Sequence, residues 1–349
     1  MTLQASPDTS AQSAALLARS FGRLDGALAA TADEDGVVAM LRRAELVASC
    51  RVDGNQASLL DLLDAETGLA VMGPARDLVE LRALTEVAGR ESSTTSHASW
   101  LLESHGELMN RLGHPGTGWR REPMWIGASG STRAEARHIP PPPERIAELM
   151  QEWEQSLNKS RQEDPLLKLS RALAALETIH PFTEANARMA RIWLQYALMQ
   201  FGFIRHPILL WSSQLLRRRH EVRQSIQMLR ADKDDETWTR LFVSMLRQAA
   251  DETTDVVCRV AALRSRHRQV IIAEFGRAVP QALRLADALY ASPMIDIKGV
   301  IALTAVTFPA ANDLVRRFER AGLLVEVTGN ARNRRFRYAP YVRIFLDDE

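Results

Sequence analysis

The spacing of apolar residues is the feature of this sequence that most constrains its fold. From about Val37 onward, apolar side chains recur at intervals of three and four residues, for example at Val38, Leu41 and Leu46. This spacing places them on one face of an α-helix. The chain is therefore predicted to be mainly α-helical. Helices are expected over residues 77–88, 144–157, 165–179, 188–201 and 212–230, with one or two more over 237–264.

Residues 111–143 interrupt the helical pattern. Residues 114–118 are typical of a turn, residues 125–130 hold too many glycines for a helix, and four prolines at 140–143 favour an extended segment. We expect a long ordered loop with a short β-hairpin, and loops of this length usually carry function. The first ~15 residues are rich in Ser, Thr, Ala and Gln and are expected to be disordered.

The pattern changes again near the carboxyl end. Helices are expected over residues 282–290 and 309–321, with a short segment at 295–301 between them. Two strand-like stretches follow, at 323–328 and 335–338. Three helices followed by a two-stranded hairpin are the plan of a winged helix.

The charges of the chain nearly cancel, with 44 Lys and Arg against 43 Asp and Glu. A protein whose whole surface binds a polyanion is therefore excluded. Residues 265–349 nevertheless hold more basic than acidic residues, and Arg316, Arg317 and Arg334 are expected on the last helix and the wing. These arginines are candidates for phosphate contacts with DNA. Acidic residues interrupt the same helix, so a packing or dimer surface is the alternative role.

The remaining composition bears on location. Two cysteines, Cys50 and Cys258, are too few for a disulfide framework or a zinc site. The amino terminus lacks the basic and apolar regions of a secretory signal, and no apolar run approaches the ~20 residues of a membrane-spanning helix. A soluble protein in the reducing cytoplasm is expected, with no membrane partner.

The most informative segment is residues 180–191, which read HPFTEANARMAR. A helix is expected to end before the proline, because the residue that precedes proline avoids helical geometry. The next helix is expected to begin near Asn186, and the unpaired N–H groups of a helix start suit phosphate oxygens. Arg188 and Arg191 are three residues apart, so both can point toward the same anion.

Glu184 and His180 complete the chemistry of this segment. Glu184 offers hard oxygen ligands that could hold Mg²⁺ against a phosphate, and His180 can act as a base near neutral pH. Each residue alone also fits an ordinary helix end or a solvated helix face. Base, carboxylate, helix start and two arginines together are what the transfer of a phosphate-bearing group needs.

The segment resembles the signature of the Fic family, His-Pro-Phe-x-(Asp/Glu)-Gly-Asn-(Gly/Lys)-Arg-x-x-Arg. Members of that family typically transfer AMP from ATP to a protein hydroxyl. By this resemblance His180 would deprotonate a Ser, Thr or Tyr hydroxyl of the target, and Glu184 would bind Mg²⁺ at the α- and β-phosphates. The phosphate-binding residues would be Asn186, Ala187, Arg188 and, at the γ-phosphate, Arg191.

Two positions depart from the signature. Alanine stands at Ala185 and Ala187, where the family often has glycine. Glycine at such positions allows phosphate to approach closely and permits unusual backbone angles. Because a methyl group is the smallest intrusion, a reduced or altered nucleotide fit is expected rather than an inactive site.

Residues 49–54 look like the inhibitory motif of the same family, Ser/Thr-x-x-x-Glu-Gly. Ser49 and Asp53 are four residues apart and share a helix face. In the family the glutamate pairs with the second arginine of the signature, here Arg191, and blocks placement of the γ-phosphate. Asp53 is one methylene shorter, so incomplete inhibition is expected. The alternative is that Asp53 and Gly54 merely end a helix.

The stretch Trp125-Ile126-Gly127, followed by the prolines at 140–143, resembles the loop that precedes the core in this family. There a β-hairpin flap pairs with the target peptide by strand addition. The flap is assigned to residues 126–138, with Ile126 and Gly127 as docking residues. The alternative is an inert surface loop.

These features predict a mainly α-helical protein with a Fic-type core, a short β-hairpin flap and a carboxyl-terminal winged-helix domain. The expected domains are residues 1–95 with the inhibitory motif, 96–264 as the Fic core and 265–349 as the winged helix. The expected activity is autoinhibited transfer of AMP to a target protein, with ATP as substrate and Mg²⁺. The alternatives are a DNA-binding regulator with a degenerate or sensory Fic core, and a site that removes AMP or moves another phosphate-bearing group. A homodimer is also compatible with the sequence.

Overall fold

The computed structural model of the chain describes residues 7–69, 73–89, 94, 96–114, 118–127, 130, 132–158, 163–232 and 235–346. Most of these residues are helical, as the apolar spacing predicts. The first helices along the chain are α1 Pro7–Ala29, α2 Glu34–Val52, α3 Leu59–Glu66, α4 Ala75–Ala88, α5 His97–Arg111, α6 Ile146–Asn158, α7 Pro165–Ile179, α8 Asn186–Gln200, α9 Trp211–Arg217, α10 Arg219–Asp232 and α11 Asp235–Glu274. None of the helices in this described part is long and apolar enough to cross a membrane.

The expectation of a disordered amino terminus is wrong for residues 7–15, which belong to α1. This helix packs along α11, and its buried side chains recur at intervals of three and four residues. Residues 1–6 lie outside the described residues. The side chains that α1 buries include Leu17, Phe21, Leu24 and Leu28.

Helix α8 runs through the centre of the protein. Trp193, Leu194 and Leu198 are fully buried on it, and the ring of Trp193 packs against Trp153 of α6 with centroids 5.0 Å apart. Helices α2, α5 and α7 contact α8 from different sides. The start of α8, which contains the central motif, is therefore held on a rigid support.

The long helix α11 leads into the carboxyl-terminal part of the chain. It is continuous through residue 264, where the sequence places a domain boundary. The elements that follow are α12 Val279–Ala291, β1 Met294–Asp296, α13 Ile297–Thr304, α14 Phe308–Arg320, β2 Val325–Glu326, β3 Arg335–Arg337 and α15 Ala339–Arg343. The three strands form one antiparallel sheet in the order β1-β3-β2.

The short segment expected at residues 295–301 is a strand followed by a helix. In β1, Met294 lies opposite Arg337 of β3. Asp296 ends the strand because its carboxylate accepts a hydrogen bond from the Gly299 N–H at 2.7 Å and thereby caps α13. The predicted hairpin is present as β2 and β3.

The carboxyl-terminal module, residues 275–346, packs directly on α2. Helix α12 contacts α2, and Arg337 Nη2 lies 2.7 Å from Oδ1 of Asp64, on the neighbouring helix α3, in a mostly buried ion pair. The helix that carries the candidate inhibitory residues therefore packs against α8, α9 and this module.

The burial of α1 predicts that it contributes strongly to stability. Leu24→Ala should lower the free energy of unfolding by about 2–5 kcal/mol, because it leaves a cavity between α1 and α11. Leu16→Ala is the control on the same helix, since Leu16 is 42% exposed and its loss should change little. Urea unfolding measures both. Equal, small effects would mean that α1 is not docked in solution.

Candidate active site

Residues 180–185 form a tight loop between α7 and α8. His180 ends α7 in the left-handed conformation, with φ 47°, and its N–H donates to the Leu176 carbonyl at 3.0 Å. Pro181 then prevents the helix from continuing. The buried ring of Phe182 stacks on His105 of α5, with centroids 3.8 Å apart. The loop is thus fixed by a helix end and by an aromatic contact beneath it.

The ring of His180 has a defined orientation and tautomer. Its Nδ1 lies 2.9 Å from the Glu177 carbonyl oxygen. Because a carbonyl only accepts hydrogen bonds, Nδ1 carries the hydrogen and Nε2 keeps its lone pair. Burial, aided by the charges of His138, Arg230 and Arg120, lowers the pKa of His180 to about 4. The imidazole is therefore neutral at pH 7, and Nε2 can accept a proton.

The two alanines that replace glycine lie in different backbone conformations. Ala185 is left-handed, with φ 61° and ψ 13°, immediately before α8. This conformation costs a residue other than glycine roughly 1–2 kcal/mol. Ala187 lies in the first turn of α8, where alanine is favourable. Only the first of the two departures from the signature therefore strains the backbone.

The start of α8 has backbone donors directed toward the loop. Ala185 provides no side-chain cap, and the N–H groups of the first helical turn have no partner within the helix. Asn186, by contrast, uses its side chain within the loop: Oδ1 accepts from the Phe182 N–H and Nδ2 donates to the Phe182 carbonyl, both at 2.8 Å. Asn186 therefore shapes the loop, and the backbone of Ala187 and Arg188 offers the anion-binding groups.

Arg191 is bound by the two residues of the candidate inhibitory motif. Its Nε donates to Ser49 Oγ at 2.7 Å, and its Nη2 donates to the Ser49 carbonyl at 2.9 Å and to Asp53 Oδ2 at 2.7 Å. Only 5% of the Arg191 side chain is exposed. Asp53 is also the residue at which α2 ends, so this one residue both terminates the helix and pairs with Arg191.

Arg188 is bound by the same aspartate and by a second carboxylate. Its Nε lies 3.0 Å from Asp53 Oδ2, and its Nη1 pairs with Oε1 of Glu80 on α4. Asn55 orients Glu80, because its Nδ2 donates to Glu80 Oε2 at 3.1 Å and to the Asp77 carbonyl at 3.0 Å. We call Ser49, Asp53, Glu80, Arg188 and Arg191 the arginine cluster.

The arginine cluster matches two guanidinium groups with two carboxylates. Both arginines are mostly buried, where removing a partner from a charge costs several kcal/mol. In this conformation Asp53 and Glu80 occupy Nε and Nη1 of Arg188, and Ser49 and Asp53 occupy Nε and Nη2 of Arg191.

Glu184 lies apart from this cluster, on the exposed side of the loop. Its Oε1 is 3.1 Å from Nδ1 of His114, and 43% of its side chain is exposed. One accessible carboxylate suits Mg²⁺, which keeps several waters and takes further ligands from substrate phosphates. No group of three His, Cys, Asp or Glu side chains among the described residues forms a closed metal site. The donor set therefore fits a metal brought with a nucleotide.

The segment assigned to the flap closes on itself next to His180. Ile126 and His138 form an isolated antiparallel bridge, with the Ile126 N–H 2.9 Å from the His138 carbonyl. His138 Nε2 lies 2.8 Å from the Thr178 carbonyl in the last turn of α7. The Gly127 carbonyl accepts from Arg137 at 3.1 Å. Residues 128, 129 and 131 of the flap and 115–117 of the preceding turn lie outside the described residues.

The arginines expected to contact DNA differ in their surroundings. Arg316 is exposed on α14. Arg317 pairs with Asp313 at 2.8 Å, and Arg334 donates to Asn312 at 3.0 Å. Arg317 and Arg334 therefore already have partners within the carboxyl-terminal module.

Glu80, Asn55 and Arg120 belong to the site, and sequence reasoning missed all three. Arg120 comes from the long loop and donates to the His180 carbonyl at 2.8 Å, while its own N–H donates to the Pro181 carbonyl at 2.8 Å. Asn55 directly follows the inhibitory motif, which is a local signal. No motif marks Glu80 or Arg120, because only the tertiary fold brings them to the loop.

The chain is similar to proteins of one family. Residues 95–198 match the model of the Fic/DOC family. The Protein adenylyltransferase Fic of Drosophila mojavensis is 29% identical over 163 residues, which are 45% of this chain and 28% of that protein. The protein of the same name from Culex quinquefasciatus is 27% identical over 257 residues, which are 68% of this chain and 47% of that protein. The chain thus spans less than half the length of these relatives.

A similar fold occurs among solved structures. The crystal structure of a Fic family protein from Desulfovibrio desulfuricans G20 superposes with a TM-score of 0.59. The superposition covers 94% of this chain and 95% of that chain at 18% sequence identity. At this identity the likeness concerns the fold, and it extends over the amino-terminal helices and the carboxyl-terminal module as well as the core.

The strain at Ala185 predicts that glycine stabilises the loop. Ala185→Gly removes a backbone cost of about 1–2 kcal/mol and adds an unfolded-state entropy cost of about 0.5–1 kcal/mol, so the free energy of unfolding should rise by about 0.5–1 kcal/mol. Ala187→Gly is the control, and it should lower stability because it places glycine in a helix. Chemical unfolding compares them. A loss of stability in Ala185→Gly would contradict the assigned backbone conformation.

Proposed function

We infer that the chain is a Fic family protein, and we propose that it is a protein adenylyltransferase that transfers AMP from ATP to a hydroxyl side chain of a target protein. The observation that carries the proposal is the ring of His180, which presents an unprotonated Nε2 beside a helix start with free N–H groups. A base next to an anion-binding helix start is what a hydroxyl needs to attack a phosphate.

The proposed reaction uses these groups in one displacement. Nε2 of His180 takes the proton of the target hydroxyl as its oxygen attacks the α-phosphorus of ATP. The new bond joins that oxygen to the α-phosphorus, and the bond from the α-phosphorus to the bridging oxygen of the β-phosphate breaks, so pyrophosphate leaves. The N–H groups of Ala187 and Arg188 at the start of α8 stabilise charge on the phosphate oxygens. The Nδ1 hydrogen bond to Glu177 stabilises the protonated ring.

Glu184 would hold Mg²⁺ against the α- and β-phosphates. The metal supplies charge neutralisation for the leaving pyrophosphate. Glu184 lies at the exposed edge of the loop, within reach of a metal ion that enters together with ATP.

We propose that the structure represents an autoinhibited state. Arg191 would have to turn from Ser49 and Asp53 to reach a γ-phosphate, and Arg188 is similarly held by Asp53 and Glu80. An aspartate replaces the longer glutamate of the family motif, yet its Oδ2 reaches both arginines because Asp53 stands at the very end of α2. Glu80 adds a second carboxylate, so we propose that inhibition is shared between Asp53 and Glu80.

The flap is the proposed docking site for the target. Ile126 has both of its backbone groups paired with the 137–138 segment on one side, as in a strand edge that can accept another strand on the other side. Ile139 is 48% exposed beside it. A peptide added along Ile126 and Gly127 would bring its hydroxyl to His180, because His138 connects the flap to the last turn of α7.

Free cysteines and the use of ATP fit a cytoplasmic setting.

The alternative functions remain predictions. The order of α12–α14 and the three-stranded sheet agrees with a winged helix, and we propose that fold for the carboxyl-terminal module. DNA binding through it would rest chiefly on Arg316, because Arg317 and Arg334 have internal partners. A homodimer, and removal of AMP by the same site, likewise stay predictions.

Shared inhibition predicts a graded release of activity. Incubated with lysate, Mg²⁺ and ATP labelled at the α-phosphate, Asp53→Gly and Glu80→Gln should each transfer more label than the wild type, and the double variant should exceed both, by roughly tenfold or more over the wild type. Glu86→Gln is the control on α4, since Glu86 is exposed and pairs outside the site. Adding His180→Ala to the double variant should abolish transfer.

The outcomes separate the parts of this proposal. No transfer by the double variant would refute the transferase activity. If Asp53→Gly transfers label and the addition of Glu80→Gln does not increase that transfer, inhibition rests on Asp53 alone. Equal transfer by the wild type and every variant that retains His180 would refute autoinhibition.

A further inference from the structure

A cavity lies next to the arginine cluster, along α2 and α8. Its volume is about 450 Å³, within the range of small-molecule sites, which is about 300–1,000 Å³. Ser49 and Arg191, which are hydrogen-bonded to each other, form part of its wall. Its other walls come from the end of α4, from α5 and from the segment around His206.

Apolar and aromatic residues form about half of the wall. Trp100 of α5 and Tyr196 of α8 stack with centroids 4.4 Å apart, and Leu46 and Ile192 contribute aliphatic surface. The Tyr196 hydroxyl is already bonded to the Thr94 carbonyl at 2.9 Å. This wall suits a flat or aliphatic apolar group.

One cation in the wall has no partner. Arg42 makes no hydrogen bond or ion pair with the residues that the structure describes, and its Nε is buried without an acceptor. Because Nε is shielded, an anion in the cavity would meet the two Nη groups, which are accessible and have no partner among the described residues. Gly89 leaves room for this guanidinium, because a Cβ there would lie 3.0 Å from Arg42 Nη1. The neighbouring Arg43 is paired with Glu66 and is not part of the cavity wall.

The other ionisable groups of the wall do not satisfy Arg42. Burial raises the pKa of Glu45 to about 8, and its oxygens accept from the Ser212 N–H and hydroxyl. At neutral pH this carboxyl is mostly protonated and does not repel an anion. His206 is bonded to Glu34 at 2.6 Å.

We propose that this cavity binds a small carboxylate with an apolar body, its carboxylate on Arg42 and its body against Trp100, Leu46 and Ile192. The cavity exists in the conformation in which Arg191 is held by Ser49 and Asp53. A ligand that fits it stabilises that conformation. The ligand therefore strengthens inhibition, a consequence that rests on the adenylyltransferase proposed above.

Binding is tested without reference to activity. Isothermal titration of the full chain uses 3-phenylpropanoate, octanoate and the neutral 3-phenylpropanamide as probes. The wild type should bind at least one carboxylate with a Kd below about 1 mM, and the amide at least about tenfold more weakly. Arg42→Met should weaken carboxylate binding at least about tenfold, whereas Arg43→Met, the control, should not. Aromatic and aliphatic probes distinguish the two kinds of apolar body.

A stability measurement accompanies the titration. Without ligand, Arg42→Met should raise the thermal midpoint, because it removes a partly buried cation whose Nε–H has no acceptor. Arg43→Met should not raise it, since Arg43 has a partner. No carboxylate binding by the wild type, or equal binding by Arg42→Met, would overturn the site.

The regulatory part has its own readout. 3-Phenylpropanoate or octanoate, whichever binds, should reduce label transfer by the wild type and leave transfer by Arg42→Met unchanged. Unchanged wild-type transfer at saturation would overturn the inhibitory role. If no variant transfers label, the adenylyltransferase proposal fails, and the titration alone decides whether the site exists.

Discussion

The carboxylate of Asp53 lies between two guanidinium groups, and the geometry of the candidate site depends on this contact. Arg188 and Arg191 are mostly buried, and a buried cation without a partner costs several kcal/mol. The folded chain therefore needs either the carboxylates of Asp53 and Glu80 or an anion in their place. In the function proposed above, the phosphates of ATP would supply such an anion, so ATP and the carboxylates of Asp53 and Glu80 would compete for the same arginines.

The same requirement links distant parts of the chain. Asp53 is positioned by α2, Glu80 by α4 with the help of Asn55, and both arginines by α8. The carboxyl-terminal module also packs on α2, through α12. Helix α2 therefore connects this module with the aspartate that binds the two arginines. The strained backbone of Ala185 is a separate constraint, which sets the direction of the first N–H groups of α8.

Most of the local structure around the candidate site could be predicted from the sequence. Helices α7 and α8, the turn at Pro181 and the helix end at Asp53 follow from apolar spacing, proline and glycine. Helix α1 was missed because small and polar residues dominate its first two turns, although its later turns bury a regular apolar stripe. Strand β1 was missed because three residues carry too little periodicity. Glu80 and Arg42 act through contacts between helices, which no local pattern encodes.

The most direct test of the central claim is the equilibrium affinity for Mg²⁺-ATP and Mg²⁺-ADP of the wild type and of Asp53→Gly. Only ATP carries the γ-phosphate that would take the place of Asp53 on Arg191. The variant should therefore bind ATP about tenfold more tightly or better, with little change for ADP. An equal gain for both nucleotides, or no gain for ATP, would contradict the competition between Asp53 and the γ-phosphate.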